Sequence, residues 1–382
     1  MSLYSEEDER RIRSQAVVRE WTKSGLLDAA QGAALAAELR VDVRRTNGFL
    51  RAGLALFTAF VVGASVTLVA VLFDVDRSLP MVVLTAVSAV ACFRLAQMLV
   101  VRQRFYRFGV EEALAIASAI LIAISAAAFA DTLNSVDHRF PLVMGLLAAA
   151  AAGLGVYGRF GYVYAAIGAL ACVAAMPFQL DLPQPAERTL AAVSLAIAFG
   201  IARAQRSRHG DEYPGDDYAL LQAAAWAGLY LVLNLQLMPA GILGAFYWFT
   251  YALIWILPIA GLYLGIRDKD RALLDVSLLM TLSTLLTSKA YLGWTRHEWD
   301  PIVLGIFLIA SAIAARRWLS AGAGGQRNGF TASRILSKES GAVTMLGTAS
   351  AVFHPKAPSF PEAVDDGFKG GRSGGGGATG TF

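Results

Sequence analysis

The chain has little charge and almost no cysteine. Of its 382 residues, only 16% are charged whereas 56% are hydrophobic, and the mean hydropathy is +0.52. Soluble domains usually carry about 25% charged residues, so this chain has too few charges to cover a globular surface of its size. The only two cysteines, Cys92 and Cys172, both lie in apolar stretches. This excludes a disulfide framework or a cysteine-rich metal cluster and indicates free thiols packed as small hydrophobic side chains.

Several motifs of common enzyme classes are also missing. The sequence has no Walker A Gly-Lys pair, no His-Glu-x-x-His and no Cys-x-x-Cys. The run from Gly153 to Gly158 matches the G-x-G-x-x-G pattern of dinucleotide-binding proteins, but it closes an alanine-rich apolar stretch and follows no strand. Small residues at this spacing are better explained by close helix packing. We therefore expect a protein that is not an enzyme and that binds no cofactor.

Ten stretches of about 20 apolar residues fill the chain between Gly48 and Leu319, and short charged or proline-containing gaps separate them. Each can cross a hydrocarbon core about 30 Å thick as a helix, because a helix satisfies its own backbone hydrogen bonds where water is absent. The fourth, fifth and sixth are short, and two of them could form a re-entrant pair instead. The expected spans are Gly48–Phe73, Leu79–Val101, Val110–Ala130, Phe140–Tyr157, Phe160–Phe178, Arg188–Ala204, Tyr218–Met238, Gly241–Ile266, Ala272–Tyr291 and Pro301–Leu319.

Lysine and arginine are distributed unequally between the two sides of these spans. One side carries 15 of them and the other only five. Cytoplasmic loops carry an excess of Lys and Arg, so the asymmetry predicts an even number of spans and both termini in the cytoplasm. These residues flank the lipid bilayer instead of clustering on one soluble face, so the net charge of +4 indicates no nucleic-acid partner. The five are Arg77, Arg139, Arg188, Lys289 and Arg296.

The fold class that follows is an all-α, polytopic transmembrane helical bundle of about ten spans. We expect three regions: a helical leader at residues 1–47, a transmembrane domain at 48–319 and a flexible tail at 320–382. In the leader, Ser5 before four acidic residues predicts the cap of a helix that ends at Gly25. Asp28 with Gln31 predicts a capping box that opens a second helix. The leader is therefore expected to be a helical hairpin.

Such a hairpin is too small to bury a core of its own. Leu35, Leu39 and Val43 fall on one face of its second helix, and the first helix has an apolar edge that includes Trp21. This edge is expected to dock on a partner protein, on another copy of the chain or on the membrane surface. Trp21, Gly25, Leu35 and Leu39 are therefore candidate interaction residues.

Two groups of residues resemble known bacterial membrane proteins. The run from Trp21 to Asp28, followed by Gln31 and Leu35, is similar to the N-terminal signature of the DUF2157 family of multi-spanning membrane proteins. Arg271 to Asp275, then Trp299-Asp300-Pro301 and Arg316-Arg317-Trp318, resemble the closing part of that family. The resemblance implies a bacterial inner-membrane protein, and it implies no activity, cofactor or catalytic residue.

The tail carries the second resemblance. Eight of the final 16 residues are glycine, and the chain ends on Phe382. This resembles the glycine-rich tail of several bacterial membrane proteins, including many with a TPM domain, although the chain has no recognisable TPM domain. The composition predicts a segment without a stable fold, with the preceding residues disordered or only locally helical. The tail is either a simple flexible extension or an element that a partner reads, for which Phe382 is the candidate interaction residue.

The four histidines are His138, His209, His297 and His354. The expected topology puts His138 and His297 on the outer side and the other two in the cytoplasm, which excludes a site made of all four. His138 with Asp131 and Asp137, and His297 with Glu298 and Asp300, could meet to bind a divalent metal. The simpler interpretation, that these are solvated loop residues, is the one we favour, so no metal site is predicted.

Polar side chains within the spans are costly enough to need partners. Arg94 lies about two turns inside the cytoplasmic end of the second span. It can reach toward water or pair with Asp275 at the start of the ninth span, or with Glu111 or Glu112. The alternative to structural pairing is a charge in a transport path.

A second set of polar residues lies deeper. Ser277, Thr281, Thr284 and Ser288 recur on one face of the ninth span, while Gln222 and Asn234 share a face of the seventh and could oppose them. Hydroxyl groups arranged in this way hold helices together or line a wet cavity. The sequence therefore favours a non-enzymatic scaffold or accessory protein whose leader and tail recruit partners. The alternative is a small-solute transporter that uses these polar residues.

Overall fold

The structure is a computed structural model that describes residues 3–4, 6–23, 25–75, 78–133, 139–208, 217–238, 244–295, 297, 299–322, 326–327 and 330–331. These residues form an all-α protein, with a 3₁₀ turn at Met176–Gln179 after the seventh helix. The helices are α1 Glu6–Lys23, α2 Ala29–Glu38, α3 Gly48–Leu72, α4 Ser78–Gln103, α5 Val110–Leu133, α6 Arg139–Phe160, α7 Val163–Ala175, α8 Gln184–Arg208, α9 Asp217–Leu233, α10 Ala245–Arg267, α11 Arg271–Tyr291 and α12 Asp300–Ser320.

Eight of the described helices are long and apolar enough to cross a membrane, namely α3 to α6, α8 and α10 to α12. Two further apolar helices are shorter: α7 with its 3₁₀ turn, and α9. Nearly every residue between Gly48 and Ser320 that the structure describes belongs to a helix, because a backbone surrounded by lipid must satisfy its own hydrogen bonds. The prediction of an all-α polytopic membrane bundle is confirmed.

The two shorter helices run antiparallel to their long neighbours. Arg139 begins α6, and its Nη1 lies 2.5 Å from Oδ1 of Asp181, just beyond the 3₁₀ turn that follows α7. Arg188, near the start of α8, donates hydrogen bonds of 2.6 Å to the carbonyls of Val232 and Met238 at the end of α9. The 3₁₀ turn lengthens α7, because it rises about 2.0 Å per residue instead of about 1.5 Å. The end of α7 therefore lies beside the start of α6, and the end of α9 lies beside the start of α8.

Some helix bounds differ from the expected spans. The helix expected at Arg188–Ala204 is α8, Gln184–Arg208, and beyond Ala204 it is stabilised by an ion pair between Arg206 and the buried Asp270. The helix expected at Tyr218–Met238 ends at Leu233, because the next residue, Asn234, turns its side-chain oxygen to accept the backbone N–H groups that follow. Charged side chains and local caps, rather than hydropathy, set these ends.

The leader forms the expected helical hairpin. The capping box is confirmed: Asp28 Oδ1 accepts from the Gln31 N–H at 2.7 Å, and Gln31 Oε1 accepts from the Asp28 N–H at 3.2 Å. Between the helices, Gly25 has φ +74°, a conformation that an L-residue rarely adopts. Ser5, the predicted cap of the first helix, lies outside the described residues.

The membrane helices bury two separate hydrophobic clusters. We call α3 to α6 the first half and α8 to α11 the second half. One cluster joins α4, α5 and α6 with Tyr162, and the other joins the four helices of the second half, with side chains of α7 packed against it. Helix α12 differs, because none of the residues whose burial is described in its apolar stretch within Ile302–Ser320 is buried.

Beyond α12, the described residues form one short pair of antiparallel strands, β1 Gln326–Arg327 and β2 Phe330–Thr331. Disorder or local helix was expected for the whole segment after Ala321, and it stays a prediction for the residues outside these four. The rest of the tail, including Phe382, lies outside the described residues.

Candidate functional site

Helices α9, α10 and α11 are joined by a chain of buried polar groups that we call the polar ladder: Tyr230, Asn234, Thr284, Thr287 and the carbonyl of Ile254. Asn234 Nδ2 donates to the Tyr230 hydroxyl at 3.0 Å and to Thr287 Oγ1 at 3.2 Å. The Tyr230 hydroxyl lies 2.9 Å from Thr284 Oγ1, which in turn lies 2.8 Å from the Ile254 carbonyl. The described polar groups of the ladder thus bond to one another, and the four side chains are buried.

Pro258 explains why the ladder ends on the carbonyl of Ile254. A proline has no N–H group, so Pro258 leaves the carbonyl four residues earlier, that of Ile254, without its usual partner in the helix. An unpaired carbonyl is costly in a membrane, and neighbouring Ser or Thr side chains commonly satisfy it. Here Thr284 of α11 takes that role. Pro258 of α10 and the hydroxyl of Thr284 in α11 therefore complement each other.

The predicted polar residues are distributed over this interface as follows. Gln222, Trp226 and Tyr230 lie at intervals of four residues along α9, and Asn234 follows directly after the helix ends; all four side chains are buried. Ser277 and Thr284 of α11 are buried, and the buried set includes Thr287, which the sequence analysis missed. The predicted hydroxyl stripe continued from Thr284 to Ser288, four residues on, and therefore passed over Thr287.

The two remaining hydroxyl groups of the predicted stripe are not part of the polar ladder. Thr281 Oγ1 donates to the carbonyl of Ser277 at 2.8 Å, and Ser288 Oγ donates to that of Leu285 at 3.0 Å. Both side chains are only half-buried and bond to their own helix. Neither of these hydrogen bonds reaches another helix.

Below the ladder, toward the start of α9, lies a pair of buried polar groups with no hydrogen-bond partner. Both amide atoms of Gln222 and the indole N–H of Trp226 are unpaired among the described residues. Gly261 of α10 permits this close packing, because a Cβ there would lie 2.2 Å from Ser277 Oγ and 2.4 Å from Trp226 Nε1. Unpaired buried polar groups are rare, and they mark a place where a water or a polar solute would be stabilised.

The carboxylates that were predicted to pair with Arg94 bond to other groups. Asp275 is 65% exposed and lies 3.8 Å from Arg271 one turn earlier in α11. Glu112 pairs with Arg51, with Oε2 accepting from Arg51 Nε at 2.7 Å. Arg94 itself is exposed on α4, where it lines a groove between α4, α5 and α6.

Glu111 and Glu112 instead organise the end of the bundle that contacts the leader, which we call the leader end. Glu111 is fully buried, and its Oε1 accepts the backbone N–H of Phe108 at 2.6 Å, which caps the start of α5. Glu112 is also buried and holds the first turn of α3 through Arg51. Sequence reasoning missed this pair because 61 residues separate its members.

The first described residues of the leader dock on the same end. The Leu3 N–H donates to the Arg159 carbonyl at 2.9 Å, and the hydroxyl groups of Tyr4 and Tyr162 are 3.0 Å apart. The Tyr4 ring packs edge-on against Tyr106, at 5.0 Å between centroids. Burial raises the pKa of Tyr4 well above its ordinary value. The tyrosine is therefore neutral at physiological pH, as the hydroxyl contact requires.

The segment between the leader and α3 adds a second attachment, to the loop between α4 and α5. Backbone hydrogen bonds join Arg44 to Arg104 and to Tyr106, at 3.0 and 3.1 Å. The loop ends at Gly109, which has φ +109° and where a Cβ would lie 2.3 Å from the carbonyl oxygen of Arg51. Only glycine fits this position. The leader is therefore attached at two loops, the one before α5 and the one before α7.

The candidate interaction residues of the leader are partly exposed. Trp21 is 43% exposed, while Leu35 and Leu39 are half-buried. Leu26, which was not among the candidates, is 62% exposed. A separate groove of about 410 Å³ between α1 and α2 is lined by other residues, which include Arg19 and Thr22. Exposed large apolar side chains are typical of a protein interaction surface.

The described residues contain no group of three metal-binding side chains. Asp300, one candidate ligand, instead accepts from Lys289 Nζ at 2.5 Å and from the His297 N–H at 3.0 Å. The other candidate ligands His138, Asp137 and Glu298 lie outside the described residues, as do His209 and His354.

No family model, no curated protein and no solved structure matches this chain.

Proposed function

We propose that this protein is a non-enzymatic scaffold or accessory protein of the bacterial inner membrane, with both termini in the cytoplasm and a relationship to the DUF2157 family. The docked leader is the observation that carries the proposal. Its attachment at two loops holds the hairpin at a fixed place, while Trp21 and Leu26 stay exposed. A pre-positioned surface loses less conformational entropy when it binds a partner.

The interaction test is an affinity purification of the full chain from native membranes in mild detergent. Trp21→Ser and Leu26→Ser should each lower the yield of a specific co-purifying protein about tenfold, because buried aromatic and aliphatic anchors dominate interfaces. Ala30→Ser, an exposed change on α2, is the matched control. Equal recovery with all three variants would show that this surface is not the interface.

The topology has its own test. Cysteines introduced at Ser207 and at Leu182 lie at opposite ends of α8, and both side chains are exposed. With Cys92 and Cys172 changed to Ser, a membrane-impermeant thiol reagent applied to intact cells should label the cysteine at position 182 and not the one at 207. The reverse pattern would place the leader outside the cell.

A transporter is the second candidate, and the unpaired amide of Gln222 favours it. A solute path would bring water to this side chain, whereas a closed core would not. Gln222→Cys, in the same background without native cysteines, should resist a small water-soluble thiol reagent if the protein is a scaffold. Labelling at a rate near that of Ser207→Cys would favour transport.

A further inference from the structure

The first half of the bundle has a groove on its lateral surface, between α4, α5 and α6. Its volume is about 480 Å³, and its apolar walls include Phe93, Ile122 and Gly155. Two polar side chains of α4, Arg94 and Gln97, also line it. They lie three residues apart, so they share one face of the helix. The groove is therefore apolar over most of its surface and polar on one side.

Arg94 lies at a depth where a cation needs a partner. Helix α4 has 26 residues, or about 39 Å, whereas a hydrocarbon core is about 30 Å thick. If the helix extends equally beyond both faces of the hydrocarbon core, the Cα atom of Arg94 lies roughly 9 Å inside the face at the leader end. The guanidinium can reach the headgroup level by extending its side chain. Among the described residues it forms no ion pair, since Glu112 and Asp275 pair elsewhere.

We propose that this groove binds an anionic phospholipid of the leaflet at the leader end. One acyl chain lies along the apolar walls, and the phosphate accepts hydrogen bonds from Arg94 and Gln97. A guanidinium binds a phosphate through two parallel hydrogen bonds, which supplies the missing negative charge at this depth. The groove opens toward lipid rather than toward water, so the ligand must carry an acyl chain as well as the charge.

The choice of a lipid over a second copy of the chain rests on charge. A second copy would have to bring a carboxylate into the membrane opposite Arg94, whereas the leaflet already contains phosphate groups at the reach of this side chain.

The test is native mass spectrometry of the full-length protein in mild detergent, with phosphatidylglycerol or phosphatidylcholine added. The wild type should retain one phosphatidylglycerol in preference to phosphatidylcholine. Arg94→Gln should weaken this retention roughly tenfold, which is the loss expected for a charge-assisted contact. Arg102→Gln is the matched control, because it removes the same charge outside the groove.

A second variant tests the groove without altering the charge. Gly155 faces open space, so Gly155→Leu can fill the groove and should also displace the lipid. Gly200→Leu, on α8 of the second half and also facing open space, should not. Equal losses from Arg94→Gln and Arg102→Gln, no preference for phosphatidylglycerol, or unchanged retention in Gly155→Leu would each overturn the proposal. If the spectrum instead shows the mass of two protein chains, and Gly155→Leu abolishes that species, the groove binds a second copy of the chain.

Discussion

In the first half of the bundle the helices pack through small residues, whereas in the second half they are joined by side-chain hydrogen bonds. Gly145 of α6 lies so close to α5 that a Cβ would be 3.2 Å from that of Ala127, and Gly153 faces the Ala165 carbonyl of α7 in the same way. In the second half, Asn234 bonds across to α11. Lipid offers no hydrophobic drive for helix association, so close packing and hydrogen bonds are the two available means. The first half relies mainly on close packing, whereas the second half combines these hydrogen bonds with the close approach at Gly261.

The difference also separates the tasks of the two halves. The polar contacts of the first half lie at the leader end, where Arg51 and Glu112 hold the loop on which the leader docks. The polar ladder of the second half lies inside the bundle and makes no contact with the leader in the bonds described. The first half is therefore the platform for the leader, and the second half is a self-contained bundle.

The largest expected effect comes from breaking the ion pair of the first half. Arg51→Met would leave Glu112 buried without its partner and should lower the free energy of unfolding by about 3–5 kcal/mol. Chemical unfolding in detergent micelles measures this. Adding Glu112→Leu should recover much of the loss, and Arg102→Met is the exposed control. A loss below about 1 kcal/mol would mean that the pair does not hold this end together.

Close packing in the first half predicts the next effect. Gly153→Ala would place a Cβ 2.9 Å from the Ala165 carbonyl and should cost about 1–3 kcal/mol through overpacking. Gly158→Ala, where the Cβ would meet nothing within 4 Å, should leave the free energy of unfolding unchanged. The same unfolding titration distinguishes them. If both substitutions are neutral, small residues do not set the helix spacing here.

The corresponding change in the second half is Thr284→Val. It removes the hydrogen-bond donor to the Ile254 carbonyl and the partner of the Tyr230 hydroxyl, so we expect a loss of about 1–2 kcal/mol. Thr281→Val is the matched control, because that hydroxyl bonds only to its own helix. Equal losses in the two variants would show that the polar ladder contributes nothing across helices.

The smallest effect concerns leader docking. Tyr4→Phe removes one hydroxyl contact with Tyr162 and should weaken docking by about 0.5–1.5 kcal/mol. Limited proteolysis of the leader should then be faster while the unfolding of the membrane domain is unchanged. A parallel loss of membrane-domain stability would mean that the leader is part of that fold rather than attached to it.

Periodicity predicted the helices because the membrane leaves few alternatives for an apolar stretch. It also singled out Gln222 and Asn234 as polar side chains of the seventh span, and the structure buries both. The partners of Arg94, Glu112 and Asp275 could not be read in this way. Such pairs depend on which helices become neighbours, and the sequence carries no signal for the pairing of Arg51 with Glu112.

The end of α9 was mispredicted for a related reason. The apolar stretch continues through Leu235 to Met238, so its hydropathy predicted that the helix extends to that residue. The side chain of Asn234 instead competes for the backbone N–H groups that follow and ends the helix there. A local cap thus overrides composition when its side chain is held in place by residues that lie far away in sequence.

The docking of Tyr4 on Tyr162 has a consequence for the synthesis of the chain. The two residues are 158 positions apart, and ribosomes add about 5–20 residues per second. For roughly 8 to 30 seconds after Tyr4 is made, its docking site does not yet exist. During that interval the hairpin is exposed on the growing chain while the first membrane helices insert. Its exposed apolar residues are thus available to a partner before the fold that later holds the hairpin has been completed.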